Sequence, residues 1–287
     1  MAINPRIRGM AALAAFAALF CSCERGAAER RSLAQAEGAA LGSSISPSRS
    51  ETPKTSAYTR QLEAALRDAE IPEDMGDRIK AAGEEAFLTE LALAMEGDPF
   101  LWRLVDKKHP LPDGYEPDDL VTLDDGASYR VGRADLRLRR PAAEALERMA
   151  SAARAEGITL VASSAYRSFD YQTQVYARNV RESGQETADR ESSRQGHSQH
   201  QLGLAVDFGS ITDAFAGTAA GRWILVNGPK YGWSLSFPDG YEHLTGYRWE
   251  SWHYRYTGTV LAAFIDKWFG GIQQYALQFI YAWQNSP

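Results

Sequence analysis

The chain has 287 residues and a net charge of −6, with 44% hydrophobic and 24% charged residues. These values are ordinary for a soluble globular protein of one or two domains, and they fit neither collagen, a coiled coil nor wholesale disorder. The negative charge argues against a general nucleic-acid binder, because neutralising phosphates requires clustered Lys and Arg. Cys21 and Cys23 are the only cysteines. Since both lie near the start, a disulfide, a cysteine metal site or a cysteine nucleophile is excluded from the rest of the chain.

Residues 1–22 have the pattern of a signal peptide for export. Two arginines precede an apolar run at positions 10–20, which is too short for the ~20 residues of a membrane span. A cysteine after such a run resembles the bacterial lipoprotein signal and implies lipidation. Cys23 is the favoured anchor because Phe20 would lie directly before Cys21, although a plain secretory cleavage is the alternative. We therefore expect an exported lipoprotein, periplasmic or at the cell surface and anchored in the membrane.

The rest of the chain divides into four parts by composition. Residues 23–57 are rich in Ala, Ser, Gly and Pro, which predicts a flexible tether. Apolar residues at helical spacing predict a helical segment over 58–105. Residues 106–260 mix helix and strand patterns without regular alternation, which favours an α+β fold with a small mixed or antiparallel sheet and flanking helices. The aromatic-rich helical tail, 261–287, is expected to pack as core or lid, or else to lie on a membrane interface.

Within residues 106–260 the pattern locates individual elements. The predicted helices cover 141–156 and 171–182, and the predicted strands cover 158–163, 204–208 and 246–256.

Two stretches bring together residues that can bind a metal. One contains His197, His200 and Asp207, and the other contains His253. Catalytic zinc takes three protein ligands from His and carboxylate groups and leaves a position open for water. Gly203 would let the chain bend between the first stretch's ligands. On spacing alone a metal site and its absence are equally supported, and His197 rivals His200 as a ligand.

Glu250 lies three residues before His253, close enough to take the proton of a water that the metal activates. In a flat strand, however, positions three apart face opposite sides of the sheet. We therefore predict a bulge or a strand end near Ser251. His109 and His243 lie in polar turns, and the spacing implies no carboxylate partner for His109.

The motifs together resemble the zinc-dependent D-alanyl-D-alanine carboxypeptidases of the VanY type, over roughly residues 100–260. Four separated elements occur in the family's order, and the family's proline and glutamate before the first ligand are replaced by Gln195 and Gln199. The four elements are Ser198-x-His200-x-x-Gly203-x-Ala205-x-Asp207, Glu250-x-Trp252-His253, Ser164-Ala165-Tyr166-Arg167-Ser168 with Gln172, and the loop over 107–120.

The resemblance implies a role for each matching residue. Zn²⁺ would be bound by His200, Asp207 and His253, with Glu250 as the catalytic base and Arg167 as the group that stabilises the oxyanion. By the same resemblance, Ser198 and Gln172 would bind the terminal carboxylate of the substrate.

The function that the resemblance implies is removal of the C-terminal D-alanine from peptidoglycan stem peptides. Two alternatives keep the same zinc chemistry: an L,D-carboxypeptidase and a peptidoglycan endopeptidase. A non-catalytic, cell-wall-binding lipoprotein is a further alternative, against which the complete set of ligands, base and arginine counts.

Overall fold

The structure is a computed structural model that describes residues 53–125 and 128–286. The predicted signal peptide, Cys21, Cys23 and most of the predicted tether lie outside these residues. The first helix begins at Pro53, inside the stretch predicted as tether. No helix in the described ranges combines the length and the apolar character needed to cross a bilayer.

The described residues form ten α-helices and seven β-strands. The helices are α1 (Pro53–Asp68), α2 (Glu73–Ala82), α3 (Glu84–Ala94), α4 (Arg140–Ala155), α5 (Phe169–Ser183), α6 (Gln185–Glu191), α7 (Ala219–Asn227), α8 (Glu242–Thr245), α9 (Thr259–Phe269) and α10 (Gln273–Asn285). The strands are β1 (Leu120–Thr122), β2 (Arg130–Val131), β3 (Arg137–Arg139), β4 (Val161–Ser164), β5 (Ala205–Phe208), β6 (Trp233–Leu235) and β7 (His253–Tyr256).

Five strands form one mixed sheet in the order β2-β4-β5-β7-β6. Only the β2–β4 pair is parallel, and β1 and β3 make a separate antiparallel pair. The predicted α+β class is confirmed. Strands β5 and β7 lie at the centre and are buried throughout, so polar side chains on them need partners inside the protein.

The predicted helix over 141–156 corresponds to α4. Pro141 occupies the first turn, where a missing N–H costs nothing, and Gly157 follows the last turn with φ of 78°. Leu146, Met149 and Ala153 are fully buried along one stripe. They pack in a core with Val206 and Phe208 of β5 and with Leu204, which directly precedes that strand.

A second core joins the two ends of the described chain. Helices α1, α2 and α3 pack against α9 and α10 in a core of 26 buried residues, which also includes Trp102 and Leu104 from the segment after α3. Phe87 on α3 is at the centre of this core and contacts the rings of Phe264, Trp268, Phe269 and Phe279. Of the two alternatives for the aromatic tail, packing in a core is the one the structure confirms.

The strand predicted over 246–256 is much shorter than expected. Residues 242–245 form α8, which ends at Gly246 with φ of 77°. The next residues bond to separate segments instead of one strand, because Arg248 N donates to Arg190 O and Glu250 N donates to Phe237 O. Only His253–Tyr256 pairs as β7.

Candidate metal centre and active site

The sheet register brings Asp207 and His253 together. They are direct partners in the antiparallel β5–β7 pair, and directly opposite side chains project from the same face of a sheet about 5 Å apart. His253 Nδ1 lies 3.2 Å from Asp207 Oδ1. Residues 46 positions apart in sequence thus meet because of the strand pairing.

His200 reaches the same point from a single 3-10 turn, Gln199–Leu202, just before β5. The Ser198 hydroxyl accepts a hydrogen bond from His200 N at 3.2 Å and caps this turn. Gly203 ends it with φ of 69°, and a Cβ there would lie 2.8 Å from the Arg139 side chain. The predicted bend at Gly203 is therefore confirmed, and it brings His200 Nε2 to 3.3 Å from Asp207 Oδ2.

The three side chains together fit a zinc ion. A ligand atom of His200, one of Asp207 and one of His253 all lie within 4.8 Å of one another. His200 Nδ1 donates to the Ala165 carbonyl at 2.7 Å, which leaves the lone pair on Nε2. His200 Nε2 and Asp207 Oδ1 are buried, and among the described residues their contacts within the cluster, at 3.2–3.3 Å, lack the angles of a hydrogen bond. Two imidazoles and a carboxylate are a donor set typical of catalytic zinc, and an ion would satisfy both atoms.

Electrostatics set the protonation state of the three groups before a cation binds. Burial and the charge of Arg167 lower the pKa of His200 to about 4, so its ring stays neutral. Burial acts to raise the pKa of Asp207, but His200 and His253 outweigh it and hold that pKa well below its usual range. Burial acts to lower the pKa of His253, but Asp207 and Glu250 outweigh it and raise it to about 9. A metal must therefore displace a proton from His253 when it binds at neutral pH.

Glu250 stands at the edge of this cluster, and the predicted strand end near Ser251 is confirmed. Residues 251–252 form a turn, with His253 N donating to Glu250 O at 3.4 Å, and β7 begins at His253. The turn places Glu250 Oε2 3.3 Å from His253 Nδ1. Burial raises the pKa of Glu250. A higher pKa makes the carboxylate a stronger base, which suits a group that accepts a proton from water.

A cavity of about 480 Å³ opens onto the cluster. Its wall includes Arg167, whose Nη2 lies 3.3 Å from Asp207 Oδ2 and whose side chain is 16% exposed. Ser198 also lines the cavity. Arg167 Nη1 donates to Gln172 Oε1 at 3.0 Å, and Gln172 Nε2 donates to Ser193 O at 2.6 Å. Gln172 is fully buried behind the arginine, so its geometry fits holding Arg167 in place, and direct contact with substrate stays a prediction.

Two other histidines lie apart from the metal cluster. His197, the rival ligand, is bound through Nδ1 to the Asp106 carbonyl at 2.7 Å. The expectation that His109 has no carboxylate partner was wrong, because its Nδ1 lies 2.7 Å from Asp106 Oδ1. Their spacing of three residues was a signal that could have revealed this pair. The Ala165 carbonyl that orients His200 had no sequence signal beyond its position two residues before Arg167.

Comparisons with known proteins agree with this geometry. The family model for VanY D-alanyl-D-alanine carboxypeptidase matches residues 135–259. YodJ of Bacillus subtilis strain 168, a protein named as a carboxypeptidase, is 33% identical over 224 residues, which are 74% of this chain and 81% of YodJ. A D-alanyl-D-alanine carboxypeptidase of Enterococcus faecalis strain V583 is 33% identical over 180 residues, covering 58% of this chain and 63% of that protein.

Two solved structures share the fold. The LdcB LD-carboxypeptidase is 35% identical with a TM-score of 0.51, covering 59% of this chain and 85% of LdcB. A variant of the vancomycin-resistance D,D-pentapeptidase VanY in complex with Zn(II) is 27% identical with a TM-score of 0.52, covering 62% of this chain and 99% of that one. The chain therefore belongs to the VanY D-alanyl-D-alanine carboxypeptidase family of zinc-dependent hydrolases.

Proposed function

We propose that this peptidoglycan carboxypeptidase is a D,D-carboxypeptidase, which releases the C-terminal D-alanine of stem peptides. The observation that carries the proposal is one cavity that holds His200, Asp207 and His253 together with Glu250 and Arg167. The family model and the enterococcal relative are both named for the D-Ala-D-Ala bond.

The proposed reaction is hydrolysis of one amide bond. Zinc held by His200, Asp207 and His253 would polarise the scissile carbonyl and make a water easier to deprotonate. The Glu250 carboxylate accepts a proton from the attacking water and passes it to the leaving amine. The C–O bond forms first, as the water adds to the carbonyl carbon, and the C–N bond breaks when the amine takes up the proton, so the products are a shortened peptide and free D-alanine.

Arg167 is the group we propose for stabilising the carbonyl oxygen as it gains negative charge. A guanidinium stays charged and donates along a fixed plane, which suits a defined oxyanion position. Its plane is held by Gln172 on one side and Asp207 on the other. Ser198, at the cavity wall, is proposed to bind the substrate's terminal carboxylate.

An L,D-carboxypeptidase is the second candidate. The observation that favours it is the similarity to LdcB, an LD-carboxypeptidase that is 35% identical to this chain. The metal chemistry would be unchanged, and the bond would be the one before a terminal D-alanine in a tetrapeptide.

The test uses purified protein on pentapeptide and tetrapeptide stems, with and without a zinc chelator, and with zinc restored afterwards. D-alanine released from the pentapeptide alone, abolished by the chelator and recovered with zinc, is the expected result. Release from the tetrapeptide alone would replace the D,D assignment with the L,D one. Release from neither, with a zinc-loaded sample, would contradict both.

We also propose that the protein is exported and anchored through a lipid on Cys23. The support is the charged start, the short apolar run and the cysteine that follows, together with a substrate that lies outside the membrane. Cys23→Ser should abolish labelling by a fatty-acid analogue and release the protein from membranes, whereas the matched Cys21→Ser should not. The opposite pattern would move the anchor to Cys21.

A further inference from the structure

A row of buried polar side chains runs from His253 to the last helix. His253 Nε2, the ring nitrogen that faces away from the other proposed ligands, lies 3.2 Å from Gln199 Oε1. Gln199 Nε2 lies 3.5 Å from Gln273 Oε1, and Gln273 Nε2 donates to the Ser234 carbonyl at 3.2 Å. Gln273 is the first residue of α10. The aromatic tail therefore contributes the amide of Gln273 to a row that reaches His253 through the amide of Gln199.

The direction of each hydrogen bond follows from the far end of this row. A backbone carbonyl can only accept, so Gln273 must turn its NH₂ toward Ser234 and its oxygen toward Gln199. Gln199 must then offer its own NH₂ to Gln273 and its oxygen to His253. The Ser236 hydroxyl donates to that same Gln199 oxygen at 2.7 Å, which agrees with this orientation.

An accepting oxygen beside His253 Nε2 requires a proton on that nitrogen. The lone pair of the neutral ring is then on Nδ1, which faces Asp207 and Glu250. We infer that Gln199 and Gln273 are positioning residues that fix the tautomer of His253, so that Nδ1 is presented to zinc. This inference rests on the proposed ligand role of His253, and it makes α10 part of the metal site.

The same row gives a reason for an amide rather than a carboxylate at position 199. A carboxylate only accepts when ionised, so at 199 it would face the Gln273 oxygen with no proton between them. Gln273 could relieve this contact only by reversing its amide, which would leave the Ser234 carbonyl facing another oxygen. Gln199 and Gln273 therefore fit each other as a pair of amides.

The test replaces each amide with methionine, which keeps the length of the side chain and removes its hydrogen bonds. The variants are Gln199→Met, Gln273→Met and the control Gln274→Met. Gln274 is the next residue on α10 and is equally buried, but it donates to Asp106 Oδ2. The dissociation constant of zinc is measured by competition with a chelating dye, and the tautomer of His253 by the nitrogen chemical shifts of the zinc-loaded ring.

Loss of a group that orients a metal ligand typically weakens metal binding by about 10- to 100-fold. We expect zinc binding to weaken by that factor in Gln199→Met. In Gln273→Met it should weaken less, by about 3- to 10-fold, because Gln273 acts through Gln199. Zinc binding should not change in Gln274→Met. The nitrogen shifts of His253 should change in the first two variants only.

Three results would overturn the inference. Unchanged zinc affinity and unchanged His253 shifts in Gln273→Met would show that α10 does not position the metal ligand. The same result in Gln199→Met would show that neither amide does. Equal weakening in all three variants would indicate general loosening of the tail. If the wild-type protein itself bound no zinc, the proposed function would fail instead, so the two failures are distinguishable.

Discussion

Replacing Phe87 with alanine tests the core that joins the two ends of the described chain. The side chain of Phe87 is fully buried and its ring lies 5.1–6.3 Å from four other aromatic rings on α9 and α10. A buried Phe→Ala substitution costs about 3–5 kcal/mol, from lost transfer free energy and the cavity left behind. Aromatic pairs add about 0.5–1.5 kcal/mol each beyond area burial. We therefore expect the free energy of unfolding to fall by about 4–5 kcal/mol, the upper end of the range for a buried Phe→Ala substitution.

The assay is thermal and urea denaturation of the zinc-loaded protein, followed by circular dichroism. At about 2–4 °C per kcal/mol for a domain of this size, Tm should fall by roughly 8–20 °C. The matched control is Leu93→Ala on the same helix, where the side chain is 41% exposed and the expected loss is below about 1 kcal/mol. A Phe87→Ala loss no larger than that of the control would refute the packing of α3 against α9 and α10.

Three further outcomes follow from the site. Arg167→Lys should lower kcat/KM by about 10²–10³ with zinc content unchanged, because lysine lacks the planar donor pair of arginine. Unchanged kinetics would show that Arg167 does not take part in catalysis. Asp207→Asn should purify without zinc, measured by atomic emission, because it removes the charge between the two histidines; a full complement of zinc would contradict its role as a ligand. Because the pKa of His253 is raised to about 9, a proton competes with zinc below that pH. Zinc affinity should therefore rise about tenfold per unit from pH 6.5 toward 9 and then level off, and a flat profile in chelator competition would contradict this.

Local patterns were enough to predict several parts of the molecule. Proline and glycine at the ends of α4, together with its apolar stripe, located that helix to within a residue. Gly203 and the turn near Ser251 were predicted because chemistry required the chain to bend there, and both bends are present. Such features depend on a few neighbouring residues, which the sequence displays directly.

Other parts depend on contacts between distant residues. Spacing alone could not choose between His197 and His200, because the choice depends on the 3-10 turn that directs the His200 ring toward Asp207 and on the distant Asp106 carbonyl that binds His197. The pairing of Asp207 with His253 depends on the register of β5 and β7, which no local pattern specifies. The contact between Gln273 and Gln199 spans 74 residues and depends on how the tail packs.

The strand predicted over 246–256 failed for a related reason. Its aromatic residues favour β structure, but the backbone of Arg248 and Glu250 bonds to segments outside the sheet. The resulting turn is what places Glu250 beside His253, so the departure from strand geometry occurs at the proposed catalytic residue.

The most direct test of the proposed site is the zinc content and the turnover of Glu250→Ala, measured on the same sample beside the wild-type protein. If the three ligands are His200, Asp207 and His253 and the base is Glu250, the variant should hold zinc in the same ratio to protein as the wild type. Its release of D-alanine should fall by about 10²–10⁴. Loss of the metal together with turnover would instead make Glu250 a ligand, and unchanged turnover would show that the base lies elsewhere.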